Sequence, residues 1–291
     1  MVGLWVMSRR VQQRVEYMRC RWAVGSDDVC RVGIRQGWLK LDVMSGNVEI
    51  FSGKVEAYGQ FRQRYPTEEV LGLLREWCGL RSEWVVADVG AGTGMLSEVF
   101  LANGNRVVAI EPNAEMRAAC AQIGSPLLTV VNAAAEDTGL EAGSVDLVSA
   151  GRAFHWFDTE RALAEFRRIQ RPEGWVVLVS AGRATPKTQQ GVEFERLLME
   201  RAAGYGQVRE RFRVHDSLKD LFGELHHAEI HGEQQFDWDA LRGWTQSISF
   251  VPGVGEQGYD EFQVALRKHF ERFSRGGILT IATTCWVNAG R

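Results

Sequence analysis

The chain has 291 residues, with 34 Lys and Arg against 37 Asp and Glu and a pI near 6.1. That balance differs from the strongly basic footprint of a nucleic-acid binder, while 45% apolar residues and ten tryptophans exclude a disordered chain. No run of eighteen apolar residues occurs, so no membrane span is expected, and five scattered cysteines without a CxxC pair suit free thiols in a cytoplasmic protein.

Residues 1–50 stand apart. They carry eight Lys and Arg against five Asp and Glu and show little periodicity outside the arginine-rich stretch from Val11 to Trp22. The segment reads as an N-terminal extension: a basic arm, a helix, or sequence upstream of the true start, with Met44 as an alternative initiator. Its apolar opening precedes Arg9 and Arg10, the reverse of a secretory signal. Residues 51–291 read as one domain.

Pro66-Thr67-Glu68-Glu69 predicts a helix start, with Thr67 as cap and the two glutamates at the positive end of the dipole. Gly79 is its stop. Strands and helices then alternate. Strands are expected at Trp84–Val89, Arg106–Ile110, Leu127–Val131, Val145–Ser149 and Trp175–Val179. Helices are expected at Met95–Ala102, Ala114–Ile123 and Thr159–Ile169, with a turn at Arg171-Pro172-Glu173-Gly174. Apolar strands separated by helices predict an α/β fold, a doubly wound, mostly parallel sheet covered on both faces. One or two charged helices follow within 188–222. Long strands at Ala228–Asp237 and Gly277–Val287 flank helical stretches at Asp239–Ser247 and Asp260–Phe273, which predicts an antiparallel edge addition and seven strands in all.

The strongest chemical signal is Asp88-Val89-Gly90-Ala91-Gly92-Thr93-Gly94, between the first strand of the sheet and its helix. Such a loop lies at the carboxyl ends of the strands, where ligands bind. Glu111 ends the second strand, placed to accept hydrogen bonds from ribose hydroxyls. A dinucleotide loop reads G-x-G-x-x-G and rests its pyrophosphate on the helix N-terminus. Here the third glycine position of that pattern is Met95. S-adenosylmethionine (SAM) has no phosphate, and a G-x-G-x-G loop preceded by Asp88 suits it better.

These motifs resemble a class I SAM-dependent methyltransferase of the type 11-like small-molecule group. Asp88–Gly94 is similar to its first motif and Ile110-Glu111-Pro112-Asn113-Ala114-Glu115-Met116 to its second. Ala135-Glu136 with Gly143–Val148 is similar to the third, and Ala153-Phe154-His155-Trp156-Phe157-Asp158 to the stretch after the fourth strand. Phe51 through Tyr58, Arg62, Tyr65 and Pro66 resemble the leader. Leu241-Arg242-Gly243 with Ser247, Ser249, Phe250 and Pro252 resemble the late segment. The likeness covers residues 51–291. It implies a Rossmann-like fold, SAM as cofactor, and contacts to it from Asp88, Gly90, Ala91, Gly92, Thr93, Gly94, Glu111, Pro112, Met116, Ala135, Glu136, Tyr58 and Arg62. It also implies a small-molecule acceptor rather than nucleic acid, and a lid or substrate segment at about 183–275. Gln63 departs from a proline common in the leader. Ala134 replaces an adenine-binding aspartate, which leaves adenine to the Ala135 backbone and Glu136.

The cofactor's methyl group is already activated, so proximity and orientation carry the transfer, and a base is needed only for an acceptor that must lose a proton. His155 is the catalytic candidate; the other reading has it structuring the loop beside Trp156. Arg152 and Phe157 are pocket candidates. Arg62 either pairs with the methionyl carboxylate or is a surface arginine. His226 and His227 point to opposite strand faces, which argues against a metal site with His231. Two other readings remain: a SAM-binding protein without turnover and an NAD-dependent oxidoreductase.

Overall fold

A computed structural model describes residues 63–202, Tyr205, Leu218, 221–248 and 250–291, together with two short strands nearer the N-terminus. The chain divides into two units, Met1–Ser45 and Gly46–Arg291. In the first, β1 (Ile34–Arg35) and β2 (Trp38–Leu39) pair antiparallel. Tyr58, Arg62 and Met44 lie outside the described residues, as does Ser249 of the late segment.

The first described element of the second unit is α1 (Thr67–Cys78), which buries Val70, Leu71 and Leu74. Each such burial stabilises by about 1.5–3 kcal/mol. Glu68 and Glu69 occupy its first turn, as expected, but Thr67 does not cap it. Pro66 is the N-cap, and the Thr67 hydroxyl instead donates backwards to the Tyr65 carbonyl at 3.5 Å. Gly79 ends the helix at φ 68°, its N–H donating to the Leu74 carbonyl, a conformation that costs glycine nothing.

The alternation then runs β3 (Val85–Val89), α2 (Ser97–Ala102), β4 (Arg106–Ile110), α3 (Ala114–Ala121), β5 (Leu128–Val131), β6 (Val145–Gly151), α4 (Thr159–Ile169) and β7 (Gln170–Arg183). Beyond it come α5 (Gln189–Arg201), β8 (Leu225–Phe236), α6 (Trp238–Gln246), α7 (Tyr259–Phe273) and β9 (Leu279–Gly290). The second unit's sheet has seven strands in the order β5-β4-β3-β6-β7-β9-β8. The first five pair parallel, while β9 runs antiparallel to both β7 and β8. The antiparallel strand therefore stands one place in from the edge, and β8 forms the edge itself. The chain starts at β3 in the middle, winds outward to β5, and returns to β6. The reversal opens a crevice at the carboxyl ends of β3 and β6.

The turn expected at Arg171–Gly174 survives as a bulge. Val145 pairs with Gln170 and Leu147 with Trp175, so those four residues loop out of register. The pleat sorts the core. Val86, Leu147 and Val177 face α1 and α2, whereas Ala87, Val148 and Val176 face α4. A third cluster joins α5, α6 and α7 to the ends of β8 and β9 through Phe194, Leu241, Phe262, Phe236 and Ile281.

Candidate functional site

The site grows from the end of β3. Asp88 is fully buried and accepts the hydroxyls of Ser97 at 2.6 Å and Ser149 at 3.1 Å. Burial pushes its carboxyl up to about 6, and hydrogen bonds from those hydroxyls and the Ser97 amide offset part of that rise. Asp88 thus holds the first residue of α2. That helix starts two residues later than the periodicity predicts, because Gly92 through Leu96 turn before it.

The glycine loop hangs from the neighbouring strand. The amides of Gly90 and Ala91 donate to the Ile110 carbonyl at 2.8 and 3.1 Å. Its three glycines have different reasons to be there. A Cβ on Gly90 (φ 67°) would sit 2.6 Å from the Ala153 Cβ, so Gly90 lets the loop after β6 close on the loop after β3. A Cβ on Gly94 (φ 85°) would meet the Ile123 Cδ1 at 2.5 Å and the Cys120 Sγ at 2.9 Å, and this packing places α3. Around Gly92 (φ 58°) the Cβ position is open, with nothing within 4 Å. Only Gly92 of the three therefore leaves room for something to approach the backbone.

Glu111 governs that position. One carboxylate oxygen accepts the Gly92 amide at 2.8 Å and the other accepts the Asn113 amide at 2.8 Å. Asn113 in turn caps α3, its side-chain oxygen accepting the Met116 amide at 2.9 Å. Glu111 is 8% exposed, and burial raises its pKa against the lowering effect of those two amides. Each carboxylate oxygen has a second lone pair, so the group can hold the loop and accept a ligand hydroxyl together.

Between these groups lies a cleft with a cavity volume of about 250 Å³. Asp88, Gly90, Ala91, Gly92, Thr93, Glu111, Pro112, Met116, Ala135 and Glu136 line it. Gly94 does not, since it serves the packing of α3 instead. The Glu136 carboxylate accepts the Asp158 amide at 2.8 Å and so fixes the start of α4. After β6 the wall continues through Arg152, Ala153, Trp156 and Phe157 and passes over His155. His155 sits in a short 3₁₀ turn, Phe154–Trp156, with its ring 4.8 Å from that of Trp156. Sequence reasoning missed Ser97 and Ser149, which partner Asp88, and the lining residue Asn113. Serine is too common at strand and helix ends for spacing alone to mark it.

The donor set decides which cofactor fits. Asp88 and Glu111 are among the lining residues, the Thr93 hydroxyl is buried without a partner, and the backbone is open at Gly92. A pyrophosphate would need the amides at the start of α2, but the Ser97 amide is already taken by Asp88. Two acidic residues in the lining suit a cationic group better than an anionic one.

His226, His227 and His231 each have a partner on or beside the β8–β9 ladder: Glu224 at 3.1 Å, Asn288 at 2.9 Å and Thr284 at 3.3 Å. Among the described residues no helix is long and apolar enough to cross a membrane.

Comparison with known proteins agrees with the geometry. The family described as methyltransferase domain matches residues 87–178. An uncharacterized methyltransferase of Mycobacterium tuberculosis is 38% identical over 133 residues, covering 44% of this chain and 51% of its own length. The chain thus spans about half the length of the curated relatives it matches first. A solved structure described as a proposed type II methyltransferase from Anaeromyxobacter dehalogenans superposes with a TM-score of 0.61 at 28% identity, covering 79% of this chain and 98% of that one. A methyltransferase structure from Anabaena variabilis shares the fold, with a TM-score of 0.52 at 19% identity. The glycine loop, Glu111 and the turn after β6 all fall inside the matched segment, so over residues 87–178 the chain is similar to the methyltransferase domain.

Proposed function

We propose that the cavity binds SAM and that the chain transfers its methyl group to a small-molecule acceptor. The observation that carries this reading is the pair of buried carboxylates, Asp88 and Glu111, around an open Gly92 backbone. Glu111 would accept the ribose hydroxyls. Pro112, Met116 and Ala135 would flank the adenine, with the Ala135 backbone and Glu136 at its edge. Asp88 and the loop amides would face the cationic amino acid end, and Arg62 would meet its carboxylate. When bound, the cofactor supplies a methyl group already activated by the sulfonium.

The protein's own part is then to orient and to exclude water. Trp156 and Phe157 close the wall on the β6 side, where an acceptor would stand in line with the methyl group. Holding two reactants in such a geometry supplies about 7–11 kcal/mol of a barrier in favourable cases. His155 would act as general base only after turning toward the cavity, and an acceptor that reacts without proton loss needs no such movement. The segment at about 183–275 would complete the acceptor side.

The test is transfer of label from methyl-labelled SAM to a small-molecule extract. Labelled low-mass product supports the reading. SAM binding with no labelled product would instead favour a SAM-binding protein without turnover. A thermal shift with NAD but none with SAM would favour the oxidoreductase.

A further inference from the structure

The cavity has a cationic side as well as an acidic one. Arg152 follows β6 directly and lines the cavity. Its backbone has φ 54°, in the left-handed region that an arginine rarely adopts. Its amide donates to the Val179 carbonyl at 3.0 Å, which ties it to β7. Its guanidinium lies over the Tyr65 ring, 5.0 Å from the centroid, and donates from Nη2 to the Gln63 carbonyl. A π face and a neutral carbonyl hold the group in place without cancelling its charge. Among the described residues no Asp or Glu pairs with it, and its Nε is buried without a hydrogen-bond partner.

Strand order gives this charge its place. Glu111 follows β4 and Arg152 follows β6, with β3 and its glycine loop between them. Two strand spacings separate the acidic and basic sides, roughly 10 Å. A nucleoside seated against Glu111 leaves the β6 side to the second reactant. The wall there is otherwise apolar, with Leu96, Ala153, Trp156 and Phe157.

We propose that Arg152 anchors the acceptor and that the acceptor is a small molecule carrying a carboxylate on an apolar body; this rests on the methyl-transfer reading. A guanidinium recognises a carboxylate by charge-assisted, fork-shaped hydrogen bonds. A single negative charge suits a cavity whose other side holds Asp88 and Glu111 better than a doubly charged phosphate does. Arg152 is then a specificity-determining residue, distinct from the groups assigned to the cofactor.

The test uses trifluoroacetate as probe, followed by its fluorine NMR signal, with the protein saturated in S-adenosylhomocysteine. Arg152→Asn is the first variant, because asparagine tolerates the left-handed backbone, and Arg152→Gly is the second should the first fail to fold. The wild-type protein is expected to bind the probe saturably, with acetate competing. The variants are expected to lose at least tenfold of that affinity while binding S-adenosylhomocysteine within threefold of wild type. Equal probe binding in wild type and variant overturns the proposal. So does a tenfold loss of S-adenosylhomocysteine affinity in the variants, which would reassign the guanidinium to the cofactor's own carboxylate. Failure of the wild-type protein to bind S-adenosylhomocysteine at all would sink the methyl-transfer reading, and this inference with it.

Discussion

The carboxyl ends of β3, β4 and β6 and the layer built by β8, β9 and α5–α7 treat buried charges differently. At the strand ends, Asp88 and Glu111 are held by hydroxyls and amides. In the other layer charge is matched or removed. Arg183 lies 3.4 Å from Glu195 and donates to the Tyr205 hydroxyl, and Arg272 meets Glu193 at 2.9 Å. His269, buried between Phe194 and Phe273, has its pKa pushed down to about 4 by desolvation and so stays neutral. Where only packing is at stake, charges find partners. Where they are left with hydrogen-bond capacity to spare, a ligand of the complementary charge is the natural partner.

This contrast is open to direct attack. The largest effect is expected from Phe194→Ala, because Phe194 is 2% exposed and stacks on Trp244. Such a truncation costs roughly 3–5 kcal/mol of stability. Chemical denaturation should show that loss, while S-adenosylhomocysteine affinity in the folded protein stays near wild type. A large loss of affinity would show that the two regions are not separate in function.

Gly90→Ala should come next. It combines a 2.6 Å approach to Ala153 with a positive φ, for roughly 3 kcal/mol of strain. Here binding is expected to fall with stability, since the loops after β3 and β6 can no longer close. Calorimetry alongside a melting curve would separate the two losses.

Glu111→Ala should reduce S-adenosylhomocysteine affinity about 30- to 140-fold, the worth of a hydrogen-bonded charge of about 2–3 kcal/mol. Its fold should survive, because the loop amides of Gly90 and Ala91 remain on the Ile110 carbonyl.

Acid should act on the two regions with opposite sign. The folded pKa of Asp88 is raised to about 6, so its contribution to stability is fully present below the ordinary carboxylate value near 3.8 and is lost as pH rises through about 6. The folded pKa of His269 is lowered from 6.5 to about 4, so its contribution is present above 6.5 and is lost as pH falls toward 4. Between pH 6.5 and 4, Asp88→Asn should therefore steepen the loss of stability and His269→Phe should flatten it, each by on the order of 1 kcal/mol. Melting temperatures of the three proteins across that range provide the check.

The smallest effect is expected from Gly92→Ala. Its Cβ meets nothing within 4 Å, so only the positive φ matters, at about 1 kcal/mol of stability. Binding, by contrast, should weaken visibly, because the new methyl group would stand where the backbone is approached.

Much of the first region was legible in the sequence, for a local reason. Val85–Val89 and Arg106–Ile110 are apolar runs that end in chemistry, and Gly90–Gly94 and Glu111 sit at those ends. The limits of α4 and the start of α3 follow from their caps, Asp158 and Asn113. What the sequence hid depends on contacts across many residues. Nothing in Gly90 announces Ala153 as its neighbour, and nothing in Ser149 announces Asp88. Arg152 looks like any loop arginine until its backbone conformation and the Tyr65 ring are seen together. The place of β9 was hidden for the same reason: two late strands predict an antiparallel addition, but which of them reaches β7 is settled by packing.

On the proposed reading the cavity takes a SAM-type nucleoside and not a pyrophosphate. Calorimetric titration of the full chain with S-adenosylhomocysteine and, separately, with NAD tests it most directly. Saturable one-to-one binding of S-adenosylhomocysteine, with no binding of NAD at the same concentrations, is the expected result; saturation by NAD with no heat from S-adenosylhomocysteine would overturn the reading.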